Sequence, residues 1–149
     1  MFSSIVLFTL PFLTVISMIM FAQGIQHSIV RKNAFGFAFH FTWLGVFVWG
    51  DALILGPFWF VASLLPLLTN RPVLFGLITS LFWVIRAAGE TLYWFLQQFS
   101  TLNRNPPENM PGYALVKNDS VWFLYQLFWQ CFMVFAGITS IYFASLWIR

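Results

Sequence analysis

Apolar residues fill four long stretches of the chain, and short polar segments separate these stretches. The first is "IVLFTLPFLTVISMIMFA", which starts at Ile5 and carries no charge. About 20 apolar residues are needed for a helix to cross the hydrocarbon core of a bilayer. No Lys or Arg precedes the stretch and no A-x-A cleavage site follows it, so we expect a retained span over residues 5–27 rather than a signal peptide.

The second apolar stretch, residues 34–68, is too long for one straight span. As a single helix it would reach about 50 Å, whereas the hydrocarbon core of a bilayer is about 30 Å thick. Glycine and proline are common at sharp bends in helices. Gly50, Gly56 and Pro57 therefore predict a break near Gly50–Pro57.

Two further stretches, residues 73–99 and 121–147, have the length of single spans. Residues 100–120 between them are polar, and their prolines and mixed charges favour an ordered surface loop. The whole pattern predicts an all-α integral membrane protein with a four-transmembrane-helix bundle. We expect residues 1–149 to form a single transmembrane domain in contact with the lipid bilayer.

The composition supports a membrane protein and excludes some partners. Hydrophobic residues make up 60% of the chain and charged residues only 7%, against about 25% charged residues in an ordinary soluble domain. The net charge of +3 is small and scattered, so we expect no nucleic acid partner. The single cysteine, Cys131, excludes an internal disulfide, and we expect it to be a buried thiol.

Basic residues are distributed unevenly between the two sides of the predicted bundle. Four lie in the segments after the first and third spans, and two lie on the opposite side. These residues are Arg31, Lys32, Arg104 and Lys117 on one side, and Arg71 and Arg149 on the other. Because cytoplasmic loops carry an excess of Lys and Arg, we expect both termini on the non-cytoplasmic side.

Two charges interrupt the third span, where Arg86 and Glu90 lie four residues apart and share one helix face. A charge at the centre of a membrane helix costs about 2.5–3.5 kcal/mol, so the two must compensate each other. Asp51 lies at the midpoint of the second stretch, as Arg86 does in the third, which predicts a shared site of Asp51, Arg86 and Glu90. Two acids around one guanidinium favour a shared proton, as in a proton-coupled transporter. A pair that only specifies helix packing is the competing interpretation.

Polar side chains extend this predicted site along the third and fourth spans. Tyr93 and Gln97 continue the helix face of the charged pair, and Gln126 and Gln130 lie on one face of the fourth span. Counted from the polar loop, Glu90 and Gln130 lie at the same depth. Neighbouring antiparallel spans would therefore bring these two side chains together, with Gln126 beside the aromatic residues that follow Glu90.

Two histidines raise the possibility of a redox cofactor. His27 ends the first span and His40 lies early in the second stretch, on the same side of the predicted bundle. Facing histidines are the axial ligands of many haem groups, and they could equally bind a metal or simply hydrogen-bond to water or to Gln23 and Gln26 at the interface. No cofactor and no metal site are predicted, and His27 and His40 are candidate haem ligands only. No nucleophile–base pair, phosphate-binding loop or H-E-x-x-H motif occurs, and an enzymatic role therefore has little support.

Three functions are compatible with these patterns. The favoured one is a helical-bundle subunit or scaffold within a homo-oligomer or a larger membrane complex, because Ala136, Ser140 and Ala144 form a small-residue stripe that permits close helix approach. The alternative is a small transporter or proton-conducting protein that uses Asp51, Arg86 and Glu90. The third is a haem-binding redox subunit.

Overall fold

A computed structural model of the protein describes residues 2–102 and 104–148, so Arg149 of the charge count lies outside the described residues. Within the described ranges the chain is helical and contains no strand. Its α-helices are α1 (Phe2–Gly24), α2 (Trp49–Thr69), α3 (Pro72–Gln97), the short α4 (Tyr113–Val116) and α5 (Ser120–Ile148).

Four helical segments are long and apolar enough to cross a membrane, which confirms that part of the prediction. They are Ile5–Val30, Trp49–Thr69, Pro72–Gln97 and Ser120–Ile148. Large apolar side chains such as Phe8, Ile85 and Ile141 are exposed on these helices. Apolar surfaces of this kind are suited to lipid rather than to water. The fold is therefore compatible with an integral membrane protein.

The chain divides into two compact units. Unit 1 comprises the described part of Met1–Thr79 and Phe143–Arg149, and unit 2 comprises Ser80–Tyr142. Both α3 and α5 contribute residues to each unit. The arrangement of a single transmembrane domain over residues 1–149 stays a prediction.

In unit 1, α1 and α2 approach each other closely because small residues line the contact. A Cβ atom added to Gly56 of α2 would lie 2.7 Å from the Cβ of Phe21 in α1, so only glycine fits at this crossing. Further along, the hydroxyls of Thr14 and Ser63 share a hydrogen bond of 2.8 Å. Ser63 is completely buried, and this bond satisfies polar groups that hydrocarbon would leave unpaired.

The second apolar stretch is broken, as predicted, but the break lies ahead of the predicted position. Residues 34–48, here named the strap, lie outside the spanning helices, and α2 then runs without interruption from Trp49 through Gly56 and Pro57. Glycine and proline are tolerated within a membrane helix where neighbouring groups satisfy the backbone. The chain changes direction in the strap instead, where a left-handed residue precedes α2 and a side chain caps the start of that helix.

The left-handed residue is Gly45, which ends a 3-10 turn with a φ of 76°. Glycine adopts this conformation without the steric penalty that other residues carry. The cap is Asp51, whose carboxylate accepts hydrogen bonds from the backbone N–H groups of Phe47 (3.0 Å) and Val48 (3.3 Å). An acid at this position also stabilises the positive end of the helix dipole of α2.

One buried hydrogen bond joins the strap to α2, and its removal is expected to loosen the strap. The indole N–H of Trp59, a side chain only 1% exposed, donates to the backbone oxygen of Leu44 at 2.8 Å. Trp59→Phe leaves this buried oxygen without its donor, so we expect a loss of about 1–3 kcal/mol in stability. Hydrogen exchange should become faster in residues 38–46.

The matched control is Trp43→Phe, because the Trp43 indole is 57% exposed and donates only to the nearby oxygen of His40. Its loss should cost less than about 1 kcal/mol, since water replaces the partner. Equal effects of the two substitutions on exchange in the strap would contradict the role given to Trp59.

In unit 2, the polar segment 100–120 packs onto the adjoining ends of α3 and α5. Trp94, Val121 and Trp122 form a buried cluster beneath it. The Trp122 indole donates to the backbone oxygen of Asn105 at 2.9 Å, and the Tyr125 hydroxyl donates to that of Pro111 at 3.2 Å. Aromatic side chains with polar tips are suited to such a boundary, because one end is apolar and the other is hydrogen-bonded. The described part of the segment is thus an ordered cap.

Candidate functional site

The charged pair of α3 forms a salt bridge within one helix. Arg86 Nη2 lies 3.2 Å from Glu90 Oε1, one helical turn away. The Arg86 side chain is 23% exposed and the Glu90 side chain 15% exposed. An i, i+4 pair of this kind needs no second helix to neutralise it. The remaining exposed surface matters more here than in water, because a charged group in hydrocarbon is strongly disfavoured.

Tyr93 and Gln97, which the sequence placed on the same stripe as the charged pair, form hydrogen bonds to the polar segment, and their part in an extended polar site stays a prediction. The Tyr93 hydroxyl accepts a hydrogen bond from the side-chain amide of Asn105. The buried Gln97 donates from Nε2 to the backbone oxygen of Leu102 at 3.2 Å. These two hydrogen bonds connect the last turns of α3 to the cap, so both side chains help to hold the cap in place.

Gln126 of α5 pairs with a residue that the sequence analysis had not selected. Gln98 Nε2 donates to Gln126 Oε1 at 2.7 Å and also to the backbone oxygen of Trp94 at 3.2 Å. Gln98 is adjacent to the predicted Gln97 but lies about 100° further around the helix. Counted from the polar loop, Gln126 lies opposite Trp94, whereas Gln98 lies about one turn nearer the loop, so the depth count did not select Gln98.

An open groove of about 340 Å³ lies between α3 and α5 within unit 2. We name it the amide groove, because Gln126 and Gln130 are its principal polar side chains. Its apolar lining includes Ala88, Leu92 and Phe95 of α3 and Met133 of α5. Gln130 therefore faces the Ala88–Phe95 side of α3. The sequence had paired it with Glu90 by depth, and this pairing stays a prediction.

The predicted triad of Asp51, Arg86 and Glu90 divides between the two units. Asp51 belongs to unit 1, where it caps α2, and the other two belong to unit 2. The capping bonds give Asp51 a role in local structure whether or not it takes part in a shared site. A proton-handling site built on the triad stays a prediction.

The two candidate haem ligands both lie in unit 1. The His27 ring stacks on the indole of Trp49, with 4.0 Å between ring centroids and 14° between planes. The rings of His40 and Phe39 are arranged edge to face, with 5.9 Å between their centroids, and His40 is exposed. Stacking covers the face of the His27 ring and not its edge nitrogens, so haem binding stays a prediction. In the described part of the chain, no three His, Cys, Asp or Glu side chains form a metal-binding group.

Two features of α5 bear on association. Cys131 is exposed rather than buried, because it lies on a side of α5 that no described residue covers, and the prediction of a buried thiol was therefore wrong. Ala136 and Ser140 of the small-residue stripe are buried, at 4% and 7% exposure. Small side chains at these positions let other groups approach the helix closely, as the stripe predicts.

Comparison with known protein families, curated protein sequences and solved structures finds no match to this chain. The class of protein therefore follows from the fold itself, whose four apolar helices are compatible with a small membrane protein.

Proposed function

We propose that this chain is a multi-pass membrane protein that acts as a helical-bundle subunit or scaffold and associates with further copies of itself within the bilayer. The observation that carries the proposal is the salt bridge of Arg86 and Glu90 with its remaining exposure of 23% and 15%. In one copy, part of each charged side chain stays uncovered near the middle of a helix of membrane-spanning length.

Exposure of a charged side chain to hydrocarbon is energetically unfavourable, and association of two copies removes that penalty by covering the pair. Hydrocarbon cannot hydrogen-bond to a guanidinium or a carboxylate, whereas a second protein surface can supply polar contacts or exclude lipid from the pair. An ion pair in this setting stabilises little by itself but specifies which surfaces meet. The two opposite charges of Arg86 and Glu90 neutralise each other within α3, so this structural role requires no proton transfer.

The exposed Cys131, as the only cysteine, offers a direct test. Chains labelled at Cys131 with donor or acceptor dyes are reconstituted in vesicles, and energy transfer is measured as unlabelled lipid is added. The proposal expects saturable transfer that persists on dilution. Chains that are monomeric at every protein-to-lipid ratio would contradict self-association.

A double substitution tests whether the charged pair carries the effect. Arg86→Leu combined with Glu90→Leu removes both charges together, so neither is left unpaired. We expect the helices to form, as measured by circular dichroism, and the association to weaken by about tenfold, equivalent to 1.4 kcal/mol. Association as tight as in the wild type would show that another surface is responsible.

The transporter alternative is distinguished in the same vesicles. A proton-linked site requires flux from the wild-type protein and its loss in Glu90→Gln, because glutamine cannot release a proton. The scaffold proposal expects no flux above that of protein-free vesicles. Flux from a monomeric protein would favour the alternative.

A further inference from the structure

We propose that the amide groove binds the carbonyl-bearing head of a neutral amphipathic molecule that reaches it from the bilayer. The groove has about 340 Å³, within the range of about 300–1,000 Å³ that is typical of small-molecule sites. It lies on two helices long and apolar enough to cross a membrane. Apolar walls with a few convergent polar groups are the usual construction of such sites. This assignment is independent of the proposed scaffold role.

Each polar side chain of the groove offers a hydrogen-bond donor, although Gln130 and Thr91 can also accept. Gln126 Oε1 is occupied by Gln98 Nε2 at 2.7 Å, so the free function of Gln126 is its own NH₂ group. Among the described residues Gln130 makes no side-chain hydrogen bond, and the hydroxyl of Thr91, which also lines the groove, has no partner. Acyl chains cannot satisfy these groups. A carbonyl oxygen is the acceptor that matches an amide N–H.

The groove also selects against charge. None of its lining residues carries a formal charge. An ionised head would therefore lose its hydration without gaining an opposite charge to offset that cost. A neutral head therefore fits better than a phosphate or a carboxylate.

The apolar walls explain how the rest of the molecule is held. Leu92 and Phe95 are 56% and 44% exposed, and Met133 lines the groove from α5. An aromatic side chain favours a flat ring or an extended chain beside it, and Met adapts to irregular shapes. Ala88 leaves room at one end of the groove, where a larger side chain would occupy the space.

Two sources of this chemistry exist in membranes: the ester carbonyls of a lipid and the ring carbonyls of a quinone. Three uncharged probes separate them: a decyl-substituted benzoquinone, a diacylglycerol, and the dialkyl ether analogue of that glycerolipid, which has the same glycerol head but no carbonyl. Binding to the full chain in lipid-depleted detergent is measured by tryptophan fluorescence and thermal stability. We expect binding of the quinone, of the ester lipid or of both, and at least about tenfold weaker binding of the ether analogue.

Two variants locate the binding to the groove. Ala88→Phe fills it, and Gln130→Leu removes a donor without breaking a hydrogen bond of the described chain. Each should weaken carbonyl-dependent binding by about tenfold or more. The matched controls, Ala22→Phe and Gln26→Leu, change exposed residues of unit 1 and should bind as the wild type does. Thermal stability without a probe verifies that all four variants fold.

The outcomes decide the proposal. Binding of only the quinone or only the ester lipid supports it and identifies the source. Failure of both carbonyl probes, or equal binding of ester and ether lipids without quinone binding, overturns it. So does unchanged binding in Ala88→Phe. If Ala88→Phe instead abolishes energy transfer between Cys131-labelled chains while no probe binds, the groove accommodates a helix of a second copy.

Discussion

Arg86→Ala is expected to lower the thermal stability of the protein far more than Glu90→Gln. The alanine variant leaves Glu90 without the guanidinium that lies 3.2 Å away. Removal of one partner from a buried ion pair costs about 3–5 kcal/mol. The partial exposure of the pair, and the ability of the carboxyl to take up a proton, reduce this to about 2–4 kcal/mol. Glu90→Gln retains the side-chain shape and an acceptor oxygen, so we expect a smaller loss.

Thermal unfolding in a mild detergent, followed by circular dichroism, measures both variants. Arg31→Ala is the matched control, because Arg31 is exposed outside the spanning helices, and a surface substitution should change stability by no more than about 0.5 kcal/mol. An Arg86→Ala protein as stable as the wild type would mean that the pair contributes nothing to the fold.

Gly56→Ala and Gly89→Ala are expected to change stability in opposite directions. A Cβ on Gly56 would lie 2.7 Å from Phe21 Cβ and 2.9 Å from Phe21 Cα, so the backbones of α1 and α2 would have to separate. Overpacking of this kind costs about 1–3 kcal/mol. A Cβ on Gly89 of α3 meets no described atom within 4 Å. Alanine there should stabilise the helix by about 0.5–1 kcal/mol, because glycine loses more conformational freedom.

The pair of glycine variants controls for helix propensity, since each makes the same substitution within a long helix. Unfolding midpoints measured under one condition give the difference directly. Pair distances between labels on α1 and α2 should also increase in Gly56→Ala and stay constant in Gly89→Ala. A stabilised Gly56→Ala protein would refute the close contact of the two helices.

The sequence by itself determined the class of the molecule and its four membrane-length helices. Hydropathy and length are local properties, so each apolar stretch predicts its own helix without knowledge of the others. The salt bridge of Arg86 and Glu90 was predictable for the same reason, because residues four apart on a helix are neighbours in any fold.

Properties that depend on contacts between distant segments needed the tertiary structure. The second stretch breaks before Gly50 because Gly45 supplies a left-handed turn and Asp51 caps the new helix, whereas Pro57 is accommodated within α2. No local pattern distinguishes a glycine that turns the chain from one that lets two helices meet. The backbone conformation and the opposing helix make that distinction.

The polar side chains of the spans show the same division. The sequence located glutamines on α3 and α5, but only the tertiary structure paired Gln126 with Gln98 and left Gln130 beside an open groove. It likewise exposed Cys131, which was expected to be buried because free cysteines usually are. Periodicity places a residue on a face of its helix, and the rotation of that helix against its neighbour decides which groups the face meets.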